Sequence, residues 1–459
     1  MKRDRRKLFE QLRTDHPVFI FEEFSYAVIN NELRIEFVFS FGEKYFFKPS
    51  HIFQLPENYD ENLLSDSLFR NIIFNLGMVE MISYWKAACS PRVVVKAACL
   101  TSGQISFWKK LYLYGLGEFF HTNEIIPGPD LMEIVSEGEE VFTKQSPGFI
   151  SGESVLVPIG GGKDSVVTLE LLSAKRQCVP YIMNPRAASL QTVAQAGYAP
   201  EDMITSGRTI DKKLLELNDN GYLNGHTPFS AMLAFTTVLV ACINGVSEIA
   251  LSNESSANEP TIPGTKINHQ YSKSMEFEED FTDYLHKYIT EDIRYYSFLR
   301  PLNELQIAKL FASFPNHHHS FRSCNVGSKT DTWCGKCPKC LFTFIILSPF
   351  IEMDILSGIF GKNLFEDESL KATLDQLTGV AKEKPFECIG TIDEVNAALQ
   401  KKIEGMEPGR LPVLLKHYRE QSVQAKYSGS VYDHLLHGFA AHNIPRPEDV
   451  LLLKETLNV

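Results

Sequence analysis

The chain has 459 residues, 44% of them hydrophobic and 22% charged, and a formal net charge of −12. These values are typical of a globular protein with a large buried core, and the length leaves room for two or three domains. The acidic balance argues against a broad, non-specific grip on nucleic acid or on an anionic membrane surface, so neither is expected as a partner.

The N-terminal segment predicts neither export nor membrane insertion. Residues 1–19 carry charges throughout and lack the apolar region of a secretory signal. The longest apolar stretches, Met232 to Ile243 and Leu341 to Ile351, fall well short of the ~20 residues that a membrane-spanning helix needs. We therefore expect a cytoplasmic protein.

The first part of the chain predicts an α+β domain. Short β-rich runs between residues 17 and 53, broken by turn residues such as Asn30-Asn31, have the pattern of a small antiparallel meander. Residues 63–86 and 105–120 show helical periodicity instead. We assign residues 1–148 to this domain, with substrate recognition as its expected role.

A glycine-containing segment near residue 148 interrupts regular secondary structure. After it the sequence predicts strands that alternate with helices. The predicted elements are strand Val155–Ile159, helix Asp164–Leu172, strand Pro180–Asn184, helix Leu190–Ala196, strand Met203–Thr205, a helix opening at Thr227-Pro228, and strand Glu248–Ser252. Such alternation predicts an α/β fold with a doubly wound parallel sheet. We place this domain at residues 149–350 and a mostly helical region at residues 351–459.

A phosphate-binding loop is predicted where the first of these strands runs into the first helix. Three glycines, Gly160, Gly161 and Gly162, allow the backbone to approach an anion closely, and the helix N-terminus directs N–H groups and partial positive charge towards it. Lys163 adds a positive charge and Ser165 a hydroxyl, while Asp164 suits a Mg²⁺-linked position in the first helical turn. A ligand-free glycine turn is the alternative.

The string Gly160 to Ser165 resembles the Ser-Gly-Gly-x-Asp-Ser signature of the PP-loop ATP pyrophosphatase superfamily, with Gly160 in place of the first serine. The resemblance implies a PP-loop fold over residues 150–345 and cleavage of ATP to AMP and pyrophosphate. It also implies that Met183 and Asn184, at the end of the second strand, contact adenine. Arg208, after the third strand, becomes a candidate for the triphosphate, although a surface role is an equal alternative.

A metal site is predicted from four cysteines, Cys324, Cys334, Cys337 and Cys340, with the spacing C-x9-C-x2-C-x2-C. Thiolates spaced in this way can converge on one tetrahedral ion, and four thiolates with no open position indicate structural zinc. The block also resembles that of the 7-cyano-7-deazaguanine synthases, PP-loop enzymes that carry zinc. An iron–sulfur cluster is the main alternative, and unliganded thiols are the third.

Carboxylates and amides follow the strand Glu248–Ser252, at the edge where open parallel sheets bind ligands. Asn253, Glu254 and Glu259 are therefore candidates to face the nucleotide, and either glutamate could hold the Mg²⁺ bound to its phosphates. A polar loop without a ligand is the alternative interpretation.

An adenylating enzyme of this kind could catalyse one of three types of reaction. A tRNA-modifying enzyme would show a basic face, which the net charge disfavours. A deazaguanine nitrile synthase is normally about half this length. Over nearly its full length the chain resembles the UDP-N-acetylmuramoyl-L-alanyl-L-glutamate epimerases, the MurL family. The segments that carry this resemblance are 75–78, 83–86, 158–165, 224–230, the cysteine block and 384–390.

This resemblance implies epimerisation of the terminal L-Glu of a UDP-muramoyl dipeptide in peptidoglycan precursor synthesis. The chemistry explains the need for ATP, because a Cα–H beside an ionised carboxylate is a very poor acid. Adenylation removes that charge, so the proton can leave to one base and return from a donor on the other face. His226 and Cys388 are candidates for these two groups, with structural roles as the alternative. The oligomeric state is not predicted.

Overall fold

The computed structural model describes residues 4–57, 59–128, 130–146, 148, 152–262, 264–421, 427, 429–440 and 446–458. The strands are β1 Val18–Ile29, β2 Glu32–Phe41, β3 Tyr45–Phe47, β4 Ser50–Gln54, β5 Arg92–Val95, β6 Glu133–Ser136, β7 Gly152–Pro158, β8 Cys178–Met183, β9 Ile204–Thr209, β10 Val246–Leu251 and β11 Arg294–Ser297. The first helices are α1 Arg5–Asp15, α2 Ser67–Trp85, α3 Ser102–Gly115, α4 Gly117–Thr122, α5 Lys163–Ser173, α6 Ala187–Gln195, α7 Lys212–Asp219, α8 Phe229–Ile243 and α9 Met275–Tyr288. The later helices are α10 Glu304–Ala312, α11 Pro338–Leu347, α12 Met353–Phe360, α13 Lys371–Leu377, α14 Ile392–Glu404, α15 Val413–Arg419, α16 Gly429–His437 and α17 Pro447–Leu457.

The protein is a mixed α/β structure, as its sequence predicts, and it contains two compact units built from interleaved segments. The first unit comprises residues 1–156, 204–249 and 266–295, and the second comprises 157–203, 250–265 and 296–459. The linear domain limits drawn from the sequence stay a prediction.

The sheet of the first unit is mostly antiparallel. β2 pairs with β1 on one side and with β3 and β4 on the other, β9 pairs with β4, and β5 and β6 add parallel strands beyond β1. The turn between β1 and β2 has both asparagines at positive φ, 53° for Asn30 and 62° for Asn31, as tight hairpins require. The predicted meander is confirmed. β9 runs to Thr209, beyond its predicted end at Thr205, because its later residues pair with β4.

The core of the first unit is built around α2. Nearly every residue of this helix is buried, and it packs on β1 and β2 and also on α8. A Cβ added at Gly77 would lie 2.4 Å from the Phe21 ring, so glycine is what lets the helix approach the sheet this closely. A helix that is buried on all sides shows little amphipathic pattern, which explains the apolar sequence of α2.

Strands β11, β10, β7 and β8 are neighbours in that order, and the chain enters the second unit within β7, β10 and β11, after Leu156, Ile249 and Tyr295. The Ile159 N–H donates to the Tyr181 carbonyl at 2.8 Å, and the Phe298 N–H donates to the Leu251 carbonyl at the same distance. The chain therefore leaves β7 towards β8 on one side and later returns to β10 on the other. The crevice at such a reversal, at the carboxyl ends of the strands, is where open α/β sheets bind ligands. The predicted phosphate loop begins at this end of β7.

Helices make up most of the described chain after Ile351, as predicted for the C-terminal region. In the second unit α10 packs against α5 and also against α11, α14, α16 and α17. Among the helices that the structure describes, none combines the length with the apolar character needed to cross a bilayer.

Candidate functional site

The glycine loop between β7 and α5 has the geometry of an anion cradle. Gly161 has φ +82°, and a Cβ there would lie 2.8 Å from the Ser189 amide nitrogen, so only glycine fits against the start of α6. A Cβ at Gly160 would meet no atom within 4 Å, which leaves open space above the loop. The N-cap of α5 is Gly162, which has no side chain to occupy the helix N-terminus. The backbone N–H groups there can therefore face an anion.

The loop is fixed from both sides by hydrogen bonds. The Arg322 N–H donates to the Gly161 carbonyl at 2.7 Å, and the Ser165 hydroxyl donates to the Gly162 carbonyl at 2.9 Å. The first contact joins the loop to the segment that leads into the cysteine block. A cradle held in this way is ordered before its ligand arrives, which lowers the entropic cost of binding.

Lys163 lies at the centre of a buried group of charges. Its ammonium contacts the carboxylates of Asp164 and Glu304, and both Lys163 and Glu304 are buried whereas Asp164 is partly exposed. Burial lowers the pKa of Lys163, but the two carboxylates raise it by a larger amount. The net effect is a raised pKa, so the ammonium stays charged. The lysine predicted to add positive charge is therefore already paired on one side.

Glu304 links the loop to the C-terminal region. Its N–H donates to Glu394 at 3.0 Å, and the same Glu394 oxygen accepts from the Ser256 hydroxyl at 2.7 Å. Burial raises the pKa of Glu304, and the carboxylates of Asp164, Glu254 and Glu394 add to this rise, whereas Lys163 opposes it. Lys163 contacts Asp164 and Glu304, and Glu254 and Glu394 lie close to Glu304, so these carboxylates form an acidic region that suits a divalent cation beside a phosphate.

The segment 384–390 lies against the same group. A Cβ added at Gly390 would be 2.4 Å from the Glu394 carboxylate and 2.9 Å from Cγ of Glu304, so glycine is required for this close approach. Lys384 donates to the Gly390 carbonyl at 2.9 Å and forms an ion pair with Glu259. Cys388 lies in this segment and is partly exposed. One of the two proposed proton-transfer groups is thus carried by a segment next to the charged group.

The polar residues after β10 are held by contacts within the second unit. The Asn253 amide donates to the Ser297 hydroxyl at 3.0 Å, and buried Arg300 donates to the backbone carbonyl of Glu254 at 2.7 Å. The side chain of Glu254 is buried and close enough to Glu304 to act on its pKa. The carboxylate of Glu259 is instead paired with Lys384.

The remaining predicted nucleotide contacts lie on β8 and β9. Met183 ends β8, and Asn184 follows it at φ +51°, a left-handed conformation that asparagine tolerates. Arg208 lies on β9 in the first unit, where its guanidinium donates twice to Glu80 at 2.7 Å and once to Ser83 at 2.9 Å. His51 contacts the same Glu80 at 2.9 Å. The role of Arg208 at the triphosphate stays a prediction. In the structure its guanidinium forms a buried ion pair with Glu80.

The four cysteines converge in the second unit. Their sulfur atoms all lie within 4.8 Å of one another, with separations of 3.8 Å for Cys324 and Cys337, 3.6 Å for Cys334 and Cys340, and 3.5 Å for Cys337 and Cys340. Four sulfurs bound tetrahedrally to one zinc at about 2.3 Å would be about 3.8 Å apart. The Gly327 N–H donates to Cys324 Sγ at 3.2 Å, a contact that stabilises a thiolate. The donor set fits a single ion.

His226 lies in the first unit, in the loop before α8. Its Nδ1 is 3.4 Å from Oε2 of Glu118, the same oxygen contacts Nδ1 of His269, and the two imidazole rings are 4.5 Å apart. Burial, followed by the charge of His269, lowers the pKa of His226 to about 4, whereas Glu118 opposes the shift. His226 is therefore a neutral imidazole at physiological pH.

A cavity of about 230 Å³ lies beside this loop, and all its lining residues belong to the first unit. Its polar lining residues include Lys86, Arg208, Asn224 and Thr227. The Lys86 ammonium donates to the Thr227 hydroxyl at 2.6 Å and to the Gly225 carbonyl. Burial lowers the pKa of Lys86 to about 8. α8 starts at Phe229 with Pro228 as its N-cap, slightly later than the predicted start at Thr227-Pro228, and the Thr227 hydroxyl is bound to Lys86.

Sequence reasoning missed several members of these groups. Glu394 follows Thr391 with the spacing of a capping box, and it does cap α14. Because capping already explains a glutamate at this position, the sequence gives no sign of its second contact, with Glu304. Glu304 likewise opens a helix with an Asn303 capping box. Glu118 and His269 are distant in sequence from His226, and no short motif connects them.

Comparison with known proteins places the chain among one group of enzymes. Residues 10–298 match the family model described as the MurL N-terminal domain, and residues 319–430 match the MurL C-terminal domain. A UDP-N-acetyl-alpha-D-muramoyl-L-alanyl-L-glutamate epimerase from Xanthomonas oryzae pv. oryzae is 36% identical over 335 residues, which cover 71% of this chain and 72% of the relative. Proteins of the same name from Micromonospora sp. and Salinispora tropica are each 33% identical, over 81% and 71% of this chain and 83% and 71% of theirs. No solved structure matches the chain.

Proposed function

The chain belongs to the MurL family, and from this premise we propose that it is an ATP-dependent epimerase that converts the terminal L-Glu of UDP-MurNAc-L-Ala-L-Glu to D-Glu, in peptidoglycan precursor synthesis. The observation that carries the proposal is the match to both family domains together with relatives that share this name. The resemblance drawn from the sequence is thereby confirmed at the level of the family. The tRNA-thiolating and nitrile-forming alternatives have no comparable support.

The use of ATP is proposed from the glycine loop. The close fit of Gly161 against α6, the open space above Gly160 and the uncapped N-terminus of α5 support a site for phosphates. We assign the second unit to the PP-loop fold on this basis, with Met183 and Asn184 near the adenine. Asp164 and Glu254 are proposed to hold Mg²⁺ on the phosphates, because Asp164 lies in the first turn of α5 and the buried carboxylate of Glu254 is close enough to Glu304 to raise its pKa.

The proposed reaction begins at the α-carboxylate of the terminal glutamate. One carboxylate oxygen attacks the α-phosphorus of ATP, pyrophosphate leaves, and an acyl-adenylate forms. The carboxyl group then carries no full negative charge, so the Cα proton can be removed by one group and replaced from the opposite face. Hydrolysis of the anhydride by water releases the D-Glu product and AMP. Cys388 is the proposed proton carrier, because its segment lies against the Glu304 group.

The cavity beside Lys86 is proposed to receive one anionic group of the substrate. A volume of about 230 Å³ is below the ~300 Å³ of pockets that enclose whole drug-sized ligands, so the cavity admits a part of the UDP-muramoyl dipeptide and not all of it. The Lys86 ammonium is buried and bound to two neutral oxygens. A buried cation in this setting gains free energy from a neighbouring carboxylate or phosphate.

The proposed function is tested by the nucleotide products. When purified protein is incubated with ATP, Mg²⁺ and UDP-MurNAc-L-Ala-L-Glu, we expect AMP and pyrophosphate to appear in equal amounts, with at least one AMP for each D-Glu. Chromatography of the nucleotides, an enzyme-coupled pyrophosphate assay and chiral analysis of the hydrolysed glutamate measure the three quantities. The control is UDP-MurNAc-L-Ala, which lacks the glutamate and should yield no AMP. Release of ADP, or inversion without nucleotide cleavage, would show that the loop is not used in this way.

We also propose that the four cysteines hold one structural zinc ion. Their sulfur separations match a single tetrahedral ion, whereas the ligands of an iron–sulfur cluster bind different iron atoms and need wider spacing. Cys337 and Cys340 lie at the start of α11, so the ion would fix this helix to the loop at Cys324. The ion would have a structural role, since the four thiolates leave no open position.

We expect about one zinc per chain after dialysis against a chelator, and loss of that zinc together with a lower melting temperature in Cys337→Ser. Elemental analysis and thermal unfolding measure these effects. Cys99→Ser is a matched control, because Cys99 is likewise partly exposed but lies outside the cluster. Iron accompanied by inorganic sulfide would contradict the proposal.

A further inference from the structure

A second group of metal-ligating side chains lies in the first unit, formed by Glu118, His226 and His269. Their candidate ligand atoms all lie within 4.8 Å of one another. The carboxylate oxygen Oε2 of Glu118 contacts Nδ1 of His269 and is 3.4 Å from Nδ1 of His226. Two ligand atoms bound to one ion at about 2.0–2.2 Å are typically about 3–3.5 Å apart, and the separation of Glu118 and His226 falls in this range.

The three residues come from three separate segments that are held in place by contacts outside the group. The Asn123 amide donates to the Asn224 carbonyl at 3.1 Å, which fixes the His226 loop to the end of α4. Lys86 binds the same loop at Gly225. The segments are therefore brought together by contacts other than those between the three ligands themselves. This arrangement is expected of a preorganised site.

Two glycine positions show that these segments lie side by side. A Cβ at Gly117 would be 3.7 Å from the backbone of Ile267, so the start of α4 lies directly beside the segment that leads to His269. Gly225 has φ +152°, and a Cβ there would be 3.3 Å from the Phe119 ring. Both contacts bring the histidine-bearing segments to the first turn of α4, where Glu118 lies.

We propose that Glu118, His226 and His269 bind a divalent transition-metal ion, with open coordination positions for water or for a carboxylate oxygen of a ligand. Two imidazoles and one carboxylate are a ligand set of metalloproteins that keep such open positions. The side chains are 17%, 20% and 12% exposed, which admits an ion while most of the site is enclosed. His226 then acts as a ligand and not as a proton carrier. The proposal does not depend on the reaction proposed above.

The ion should bind reversibly. The Lys86 ammonium binds the carbonyl of Gly225, the residue before His226, and its positive charge weakens cation binding. Three protein ligands also hold an ion less firmly than four thiolates. A chelator should therefore remove this ion and leave the zinc at the cysteines in place.

The test uses the full chain after chelator dialysis, titrated with Co²⁺. We expect one equivalent to bind with weak visible bands of a nitrogen- and oxygen-ligated ion, and without the intense charge-transfer bands of thiolate ligation. In the same sample, proton NMR should show two paramagnetically shifted exchangeable resonances from the two imidazole N–H groups. No bound equivalent, or thiolate bands alone, would overturn the proposal, and this measurement needs no variant.

Glu118→Gln keeps the size of the side chain and removes its charge. We expect the dissociation constant for Co²⁺ to rise at least ~100-fold, above the 10–100-fold cost of losing an indirect partner of a metal ligand. His269→Asn should have a similar effect. His121→Asn is the matched control, because His121 lies on α4 but outside the group. Unchanged Co²⁺ affinity in folded Glu118→Gln and His269→Asn would refute the site.

Discussion

One deuterium should enter the glutamyl Cα when UDP-MurNAc-L-Ala-L-Glu is incubated with the protein, ATP and Mg²⁺ in deuterium oxide, and the labelled residue should be D-Glu. Without ATP, both the label and the inversion should be absent. The physical reason is that a carbanion next to an ionised carboxylate would place negative charge beside existing charge, whereas the adenylated carboxyl group carries no full charge. Mass spectrometry of the dipeptide and chiral analysis of its glutamate measure the two effects in one sample.

The control for this experiment is the substrate in which the glutamyl α-carboxylate is an α-amide. The amide offers no carboxylate oxygen for adenylation, so neither AMP nor deuterium incorporation is expected. If the amide is inverted, or if the natural substrate is inverted without ATP, adenylation is not what makes the proton labile. The proposed mechanism would then be wrong, although the glycine loop could still bind a nucleotide.

Asp164→Asn should lower the rate of AMP formation at least ~100-fold, the usual cost of removing a preorganised charge from a reaction centre. Asp164 lies in the first turn of α5 and is about a third exposed, so its loss should leave the fold intact. Lys163 still pairs with Glu304 in this variant. By contrast, Lys163→Met would leave several buried carboxylates without a counter-charge, so it would confuse loss of catalysis with loss of stability.

Glu170→Gln is the matched control for Asp164→Asn. Glu170 lies on the same helix as Asp164, and its substitution removes the same single negative charge. Glu170 contacts His317, however, and is not part of the Lys163 group. We expect nearly normal AMP formation in the control and similar melting temperatures for both variants. Equal activity of the two variants would contradict the role of Asp164 in holding Mg²⁺ on the phosphates.

The local features of the fold were predictable because they have short-range causes. The strand and helix around the glycine loop follow from an apolar run, three glycines and an apolar helix, and the Asn30-Asn31 hairpin follows from its turn residues. The end of β9 at Thr209 was not predictable, because it depends on pairing with β4, which lies far away in sequence. Element ends set by long-range pairing leave little trace in local sequence.

The candidate site was predictable only where its residues form a compact motif. The glycine loop and the cysteine block have fixed spacings that the chemistry of phosphates and metals explains. Glu304 and Glu118 have no such spacing, because tertiary packing alone brings them to Lys163 and His226.

The contact of Lys163 with Glu304, and of Glu304 with Glu394, has a consequence for the newly made chain. Glu304 is synthesised 141 residues after Lys163, and Glu394 a further 90 residues later. At roughly 5–20 residues per second, the ribosome needs of order ten seconds or more to complete this set. During that time Lys163 lacks its buried partner Glu304, so under the proposed function a nascent chain should not hydrolyse cellular ATP before its C-terminal region has been made.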